Sequence, residues 1–175
     1  MTTLIKHKRV EFSELFYDLV FVFAISKATT LIEHLHNGIL TWNSFLDFFM
    51  AVLVLTDSWM IQTVYTNRYG KNSLFNMVIM FIKMGLLLFI ANMIGPDWQQ
   101  YFHYLCWAVG TLTFTLFLQY LVEFFRKSTD NVERESIKGF LWITGLGSLG
   151  VYLAALLPIY VGVSVLFASI LLTFI

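Results

Sequence analysis

Charged residues inside long apolar segments are the part of this sequence most able to do chemistry. The stretch RVEFSELFYDLVFVFAISKATTLI, residues 9–32, contains Glu11, Glu14 and Asp18 and, further along, Lys27. On a helix each residue turns about 100°, so the spacing i, i+3 and i+7 puts the three carboxylates on one face, within about 60°. Lys27 falls on roughly the opposite face. We therefore expect the acidic face to turn toward polar partners inside a helix bundle.

Two later apolar segments contain one buried-charge candidate each, Asp57 and Lys83. Both lie at a similar inferred depth, and we predict that they pair. A lone charge at the centre of a bilayer costs about 2.5 to 3.5 kcal/mol on insertion scales, so such residues usually pair or line a hydrated path. The candidate ion or proton path, or buried charge cluster, consists of Glu14, Asp18, Asp57 and Lys83.

Two interpretations of this charged set stay open. In the first, Asp18 and Asp57 carry charge along a hydrated path for protons or small cations, and Lys83 tunes them. Polar residues such as Asn76 and Gln119 could add to such a path. In the second, the charges form a satisfied polar cluster that sets the register of the helices. The first interpretation predicts a transporter or channel, and the second predicts a membrane protein without transport activity.

The overall composition is that of an integral membrane protein. Hydrophobic residues make up 58% of the chain and charged residues 13%, whereas globular domains have about 45 to 50% apolar and about 25% charged residues. The 11 basic and 11 acidic residues cancel, so no basic surface indicates a nucleic-acid partner. We expect the lipid bilayer to be the main partner of this chain.

Six apolar segments follow one another along the chain, and none alternates as barrel strands do. They cover residues 12–32, 42–65, 74–94, 101–125, 137–157 and 159–175. We predict an all-α fold, a polytopic transmembrane bundle of about six helices, because about 20 helical residues cross a hydrocarbon core of about 30 Å. Residues 1–175 are expected to form a single transmembrane domain.

The basic residues outside the helices predict the orientation of the bundle. They precede the first segment or occupy the second and fourth connections, and they are Lys6, Lys8, Arg9, Arg68, Lys71, Arg126, Lys127, Arg134 and Lys138. The first, third and fifth connections contain none. Basic residues near helix ends resist translocation, so we expect the N-terminus to be cytoplasmic.

Small residues and a proline characterise the last two segments. Gly150 and Ala154 are four residues apart, a spacing that allows close helix contact within one chain or between copies in a homo-oligomer. Pro158 separates the segments with almost no polar loop. We expect a tight hairpin at this proline rather than a kink in one long helix.

The sequence offers little for catalysis or metal binding. His34 and His36 diverge on a helix, and no HExxH pattern occurs. The single cysteine, Cys106, excludes an internal disulfide and a cysteine-based zinc site. No glycine-rich phosphate loop is present. We therefore expect no enzyme activity, no cofactor and no metal.

Two stretches carry a resemblance to a known family. FSELFYDLVFVFAIS, residues 12–26, resembles the first-helix signature of the bacterial low temperature requirement protein A family, an aromatic-flanked E-L-F-x-D-L-V-F-V. DSWMIQTVYTNRYG, residues 57–70, is similar to the end of that family's second helix, which tends to show a Trp, a Thr and an Asn-Arg-aromatic sequence. The matching positions are Glu14, Phe16, Asp18, Phe21, Trp59, Thr63, Asn67 and Arg68.

The resemblance implies a multi-pass protein of the bacterial inner membrane, linked to growth in the cold or to stress, without a defined biochemical activity. Family members usually carry a second half with an E-R-F-G segment and a later G-E, neither of which occurs here. We therefore expect residues 1–175 to be the front part of a longer chain. The expected function is a transporter or channel for a small cation or a proton-coupled solute. The alternative is an assembly or cold-stress envelope factor whose intramembrane charges are structural.

Overall fold

Helices make up nearly all of the computed structural model, which describes residues 11–33, 41–70, 73–95, 97–126 and 131–173. They are α1 (Phe12–Ala28), α2 (Thr30–Glu33), α3 (Trp42–Tyr69), α4 (Leu74–Met93), α5 (Phe102–Arg126), α6 (Asn131–Leu156) and α7 (Ile159–Thr173), with a 3-10 turn at Trp98–Tyr101. The described ranges contain no strand. The predicted all-α fold is confirmed.

Five helical stretches are long and apolar enough to cross a membrane. They are Phe12–Glu33, which combines α1 and α2, and Trp42–Tyr69, Leu74–Met93, Trp98–Arg126 and Glu133–Leu156. The sixth, α7, is apolar but has only 15 residues. The predicted polytopic bundle is therefore confirmed by length and composition. Some basic residues used to predict its orientation lie outside the described residues, namely Lys6, Lys8, Arg9, Lys71 and Lys127.

Local capping determines where α3 and α4 begin. The hydroxyl of Thr41 accepts a hydrogen bond from the backbone N–H of Ser44 at 3.4 Å. Ser73 accepts one from the N–H of Asn76 at 3.3 Å. Each hydroxyl satisfies one of the N–H groups that the first turn of a helix leaves without an internal partner.

The last two helices form the tight hairpin predicted at Pro158. A Cβ added to Gly150 of α6 would lie 2.2 Å from the Ser169 hydroxyl of α7. A Cβ added to Gly162 of α7 would lie 2.8 Å from the carbonyl oxygen of Ala154. The residue number increases from 150 to 154 along α6 while that of the contacting residue decreases from 169 to 162 along α7. The two helices are therefore antiparallel. The Gly150–Ala154 spacing thus serves close packing within one chain.

The central helix of the bundle is α5, and α1 lies at its edge. α5 contacts α3, α4 and α6, while α1 packs against α4 and α3. Of the long spans, α5 is the most buried and α1 the least. Large apolar side chains of α1, including Phe12, Leu19 and Val22, are exposed. They suit contact with lipid, whereas the polar groups that need protein partners are expected nearer α5.

Candidate functional site

A fully buried lysine lies in the middle of the bundle. Lys83 of α4 has 0% exposed surface. Its Nζ donates hydrogen bonds to Oε1 of Gln62, on α3, and to Oε1 of Gln119, on α5. Both glutamines are themselves buried. A single side chain therefore joins three helices, and its partners are neutral amides.

The predicted pair between Lys83 and Asp57 does not form. Asp57 is buried on α3 and accepts a hydrogen bond from the Thr173 hydroxyl at 2.8 Å, which links α3 to α7. Asp57 and Gln62 are five positions apart, a rotation of about 140°, so they point to different sides of α3. The prediction was wrong because it used inferred depth alone, and depth does not give the direction of a side chain.

Gln62 lies at the centre of this site, and a search of the sequence for charged residues does not identify it. Its amide side chain lies inside an apolar helical segment. Because burying an amide without hydrogen-bond partners is costly, such a residue in the sequence predicts a polar contact with a neighbouring helix. Gln119, which the sequence predicts as part of a polar path, also lies at this centre. Lys83 therefore donates its hydrogen bonds to uncharged polar residues on two neighbouring helices.

A small polar crevice lies between this centre and the end of the bundle where α1 begins. It is lined by residues of α1, α3, α4 and α5, which are Glu11, Ser13, Glu14, Gln62, Tyr65, Thr66, Gly70, Asn76, Met77, Met80 and Gln119. Its volume of about 10 Å³ is close to the smallest space that holds one water molecule. The predicted site residue Glu14 thus lies in the same crevice as the two amides that hold Lys83.

Hydrogen bonds continue from the centre toward that end of the bundle. Gln62 Nε2 donates to the Thr66 hydroxyl at 2.9 Å, one turn further along α3. The Tyr65 hydroxyl donates to Asn76 Oδ1 at 3.3 Å and links α3 to α4. Lys83, Gln62 and Thr66 therefore form a continuous line of hydrogen-bonded side chains.

Residues of the two signature stretches contact each other where α1 meets α3. Trp59 Nε1 donates a hydrogen bond to Asp18 Oδ1 at 2.8 Å. The Trp59 ring stacks on Phe21, with ring centroids 5.4 Å apart. The Thr63 hydroxyl donates to the backbone oxygen of Trp59 at 2.8 Å. The signature residues in these contacts therefore dock α1 onto α3.

Asp18 itself is exposed at the outer surface of the bundle. The expectation that the whole acidic face turns inward is therefore wrong for Asp18, because its hydrogen-bond partner is an indole at the α1–α3 contact. Three further signature residues, Phe16, Asn67 and Arg68, are also exposed. Arg68 lies in the last turn of α3, where a cation is favoured by the helix dipole.

Asp57 borders a second small cavity on the far side of α3. Thr113, Ser169 and Thr173 share its lining, and its volume is about 10 Å³. Such a space, with several polar groups around it, meets the minimum for one water molecule. Asp57 therefore has a polar environment of its own, separate from that of Lys83.

The described part of the chain contains no cluster of side chains that resembles a metal site. No group of three or more His, Cys, Asp or Glu side chains there is arranged to hold a metal ion. His34 and His36 lie outside the described residues. The remaining intramembrane lysine, Lys27, lies with its Nζ 5.7 Å from the centre of the Phe23 ring.

The chain matches a known family of proteins. The family model described as "Bacterial low temperature requirement A protein (LtrA)" matches residues 9–175. This range includes both signature stretches, the polar crevice and the centre around Lys83. No curated protein and no solved structure matches the chain.

Proposed function

The chain belongs to the bacterial low temperature requirement A family and is a membrane protein with several membrane-spanning helices, and from this premise we propose that it moves protons, or a small cation or solute coupled to them, through the bundle. The observation that carries the proposal is the fully buried Lys83, held by two amides beside a polar crevice. Intramembrane ionisable groups commonly mark such pathways.

The partners of Lys83 suit a group that exchanges a proton. An ammonium has three N–H donors and a neutral amine has two, and the two glutamine oxygens accept two hydrogen bonds. Both protonation states therefore keep both contacts with the protein. No carboxylate of a described residue contacts Lys83, so no counter-ion holds the positive charge in place.

In this proposal, protons reach Lys83 through the crevice at the end where α1 begins. Glu11 and Glu14 line its outer part, and Gln62 lines its inner part. Arg126, Arg134 and Lys138 flank the break between α5 and α6 at the same end, which supports a cytoplasmic location for it. Asp57, with its hydroxyl neighbours, provides a second protonatable group on the other side of α3.

A second candidate is a membrane protein without transport activity. It is favoured by the observation that the contacts of Lys83 and Asp18 join different helices: Lys83 links α4 to α3 and α5, and Asp18 links α1 to α3. Buried polar groups can serve to fix helix register. In that case the same residues contribute to stability and specificity alone.

Proton flux into liposomes distinguishes the two candidates. Purified protein is reconstituted, a K⁺ diffusion potential is applied, and internal pH is followed with a trapped dye. We expect flux from the wild type and none from Lys83→Met or Lys83→Arg, because arginine keeps the charge and donors but does not release a proton. Lys27→Met, which removes an intramembrane lysine outside the crevice, should retain flux.

Two outcomes would contradict this proposal. Folded wild type that moves neither H⁺, Na⁺ nor K⁺ would contradict the transport proposal. Full flux from folded Lys83→Arg would remove Lys83 from the path. Thermal unfolding of each variant in detergent shows whether lost flux reflects lost structure.

A further inference from the structure

A large apolar cavity lies at the other end of the bundle, between α3 and α7. Its volume is about 630 Å³, within the range of about 300 to 1,000 Å³ that is typical of small-molecule sites. It follows α3 from Asn43, near the start of that helix, to Leu55 near its middle. Tyr160 and Phe167 of α7 line the opposite wall. The cavity thus runs along the first half of α3.

The lining of this cavity combines aromatic rings with one carboxylate. Phe49, Trp98, Tyr160 and Phe167 contribute rings, whose faces attract cations. Asp47 is half-buried in the wall, and no described residue forms an ion pair or hydrogen bond with it. The lining includes no lysine or arginine from the described part of the chain. The cavity therefore offers negative charge inside a largely apolar space.

We propose that this cavity binds lipophilic organic cations, with the positive centre facing Asp47 and the apolar groups packed deeper, against Leu55 and Leu166. A neutral or anionic apolar molecule would gain the same hydrophobic contacts but not the charge complementarity. The inference concerns binding and is independent of proton movement. Val54 lines both this cavity and the small cavity beside Asp57. The deep, apolar end of a bound cation would therefore be separated from the Asp57 carboxylate by one side chain.

Two probe ions of equal shape and opposite charge test the proposal. Equilibrium binding of radiolabelled tetraphenylphosphonium and tetraphenylborate is measured with the purified full chain in detergent. We expect saturable binding of the cation, tighter than that of the anion. Asp47→Asn should weaken cation binding by about tenfold or more, because the partner of the charge is lost. Asp97→Asn removes an exposed carboxylate near the same end but outside the lining, and it should bind as the wild type does.

A second variant tests the position of the site. Ser164 lines the cavity and is exposed, so Ser164→Phe should narrow the cavity, weaken cation binding and leave thermal unfolding unchanged. The proposal is overturned by equal affinity for the two ions, by wild-type affinity in Asp47→Asn, or by an equal loss in Asp97→Asn. It is also overturned if native mass spectrometry shows a retained phospholipid that the cation does not displace. Should Ser164→Phe not fold, the comparison of the two aspartate variants decides.

Discussion

Among single residues, the buried charged groups Lys83 and Asp57 have neutral hydrogen-bond partners. Lys83 donates to two glutamine amides, and Asp57 accepts from a threonine hydroxyl. A hydrogen bond to a charged group contributes about 1.5 to 3 kcal/mol. Leaving a buried polar group without its partner costs its full desolvation penalty, so removal of either partner is expected to be costly.

We expect Gln119→Leu to lower the free energy of unfolding by about 1 to 3 kcal/mol, since Lys83 loses an acceptor. Denaturant unfolding in detergent measures this. Gln100→Leu, at an exposed glutamine of the 3-10 turn, should change stability by less than about 0.5 kcal/mol. The double variant Gln119→Leu with Lys83→Met should cost less than the sum of the two single changes. Additive effects would contradict the contact.

Variants of Asp18 separate a docking role from a role in conduction. Asn at this position keeps an oxygen that can accept from Trp59 Nε1, whereas Leu does not. We therefore expect Asp18→Asn to keep both thermal stability and proton flux, and Asp18→Leu to lose about 1 kcal/mol of stability or more. Loss of flux in stable, folded Asp18→Asn protein would instead place this carboxylate on the conduction path.

At the scale of elements, close backbone contact defines the α6–α7 hairpin. Gly162 is buried, and a Cβ there would meet a ring carbon of Phe102 at 2.7 Å in addition to the Ala154 oxygen. Gly139, on the exposed side of α6, has nothing within 4 Å of an added Cβ. The two glycines thus have opposite effects. Gly162 allows α7 to pack closely against α6 and Phe102, whereas Gly139 makes no such contact and only lowers the stability of its helix.

Alanine substitution should therefore have opposite signs at these two glycines. We expect Gly162→Ala to destabilise the protein by about 1 to 3 kcal/mol through overpacking. Gly139→Ala should stabilise it by about 0.5 to 1 kcal/mol, because alanine loses less backbone entropy in a helix. Thermal unfolding in detergent measures both. Equal effects of the two changes would argue against the close contact at Gly162.

At the scale of the whole molecule, the polar crevice and the apolar cavity lie at opposite ends of the bundle. The crevice lies where α3 ends, and the cavity begins where α3 starts. The end with the crevice therefore has carboxylates and amides that can bind water. The end with the cavity has a large space that can hold a mainly apolar molecule. This asymmetry makes the orientation of the chain in the membrane relevant to function.

Orientation can be measured by labelling single introduced cysteines with a membrane-impermeant maleimide. We expect Asp97→Cys to react in right-side-out vesicles, and Glu135→Cys, near the basic residues of α6, to react only after permeabilisation. The native Cys106 is buried and should not react. The reverse pattern would contradict a cytoplasmic N-terminus.

The class of protein, the six helical segments, the hairpin at Pro158 and the family can all be predicted from the order of residues along the chain. These features depend on the local length of apolar runs, on proline chemistry and on short signatures, all of which can be read along one chain. Glu14 also lies beside the polar centre, although Asp18 does not.

Which polar groups contact each other depends on how the helices pack. The partners of Lys83 come from α3 and α5, and that of Asp57 comes from α7. The large cavity likewise requires α3, α4 and α7 to be placed together. The physical reason is that a sequence gives the depth of a residue in its helix, while the packing of all the helices sets the rotation of each one about its axis.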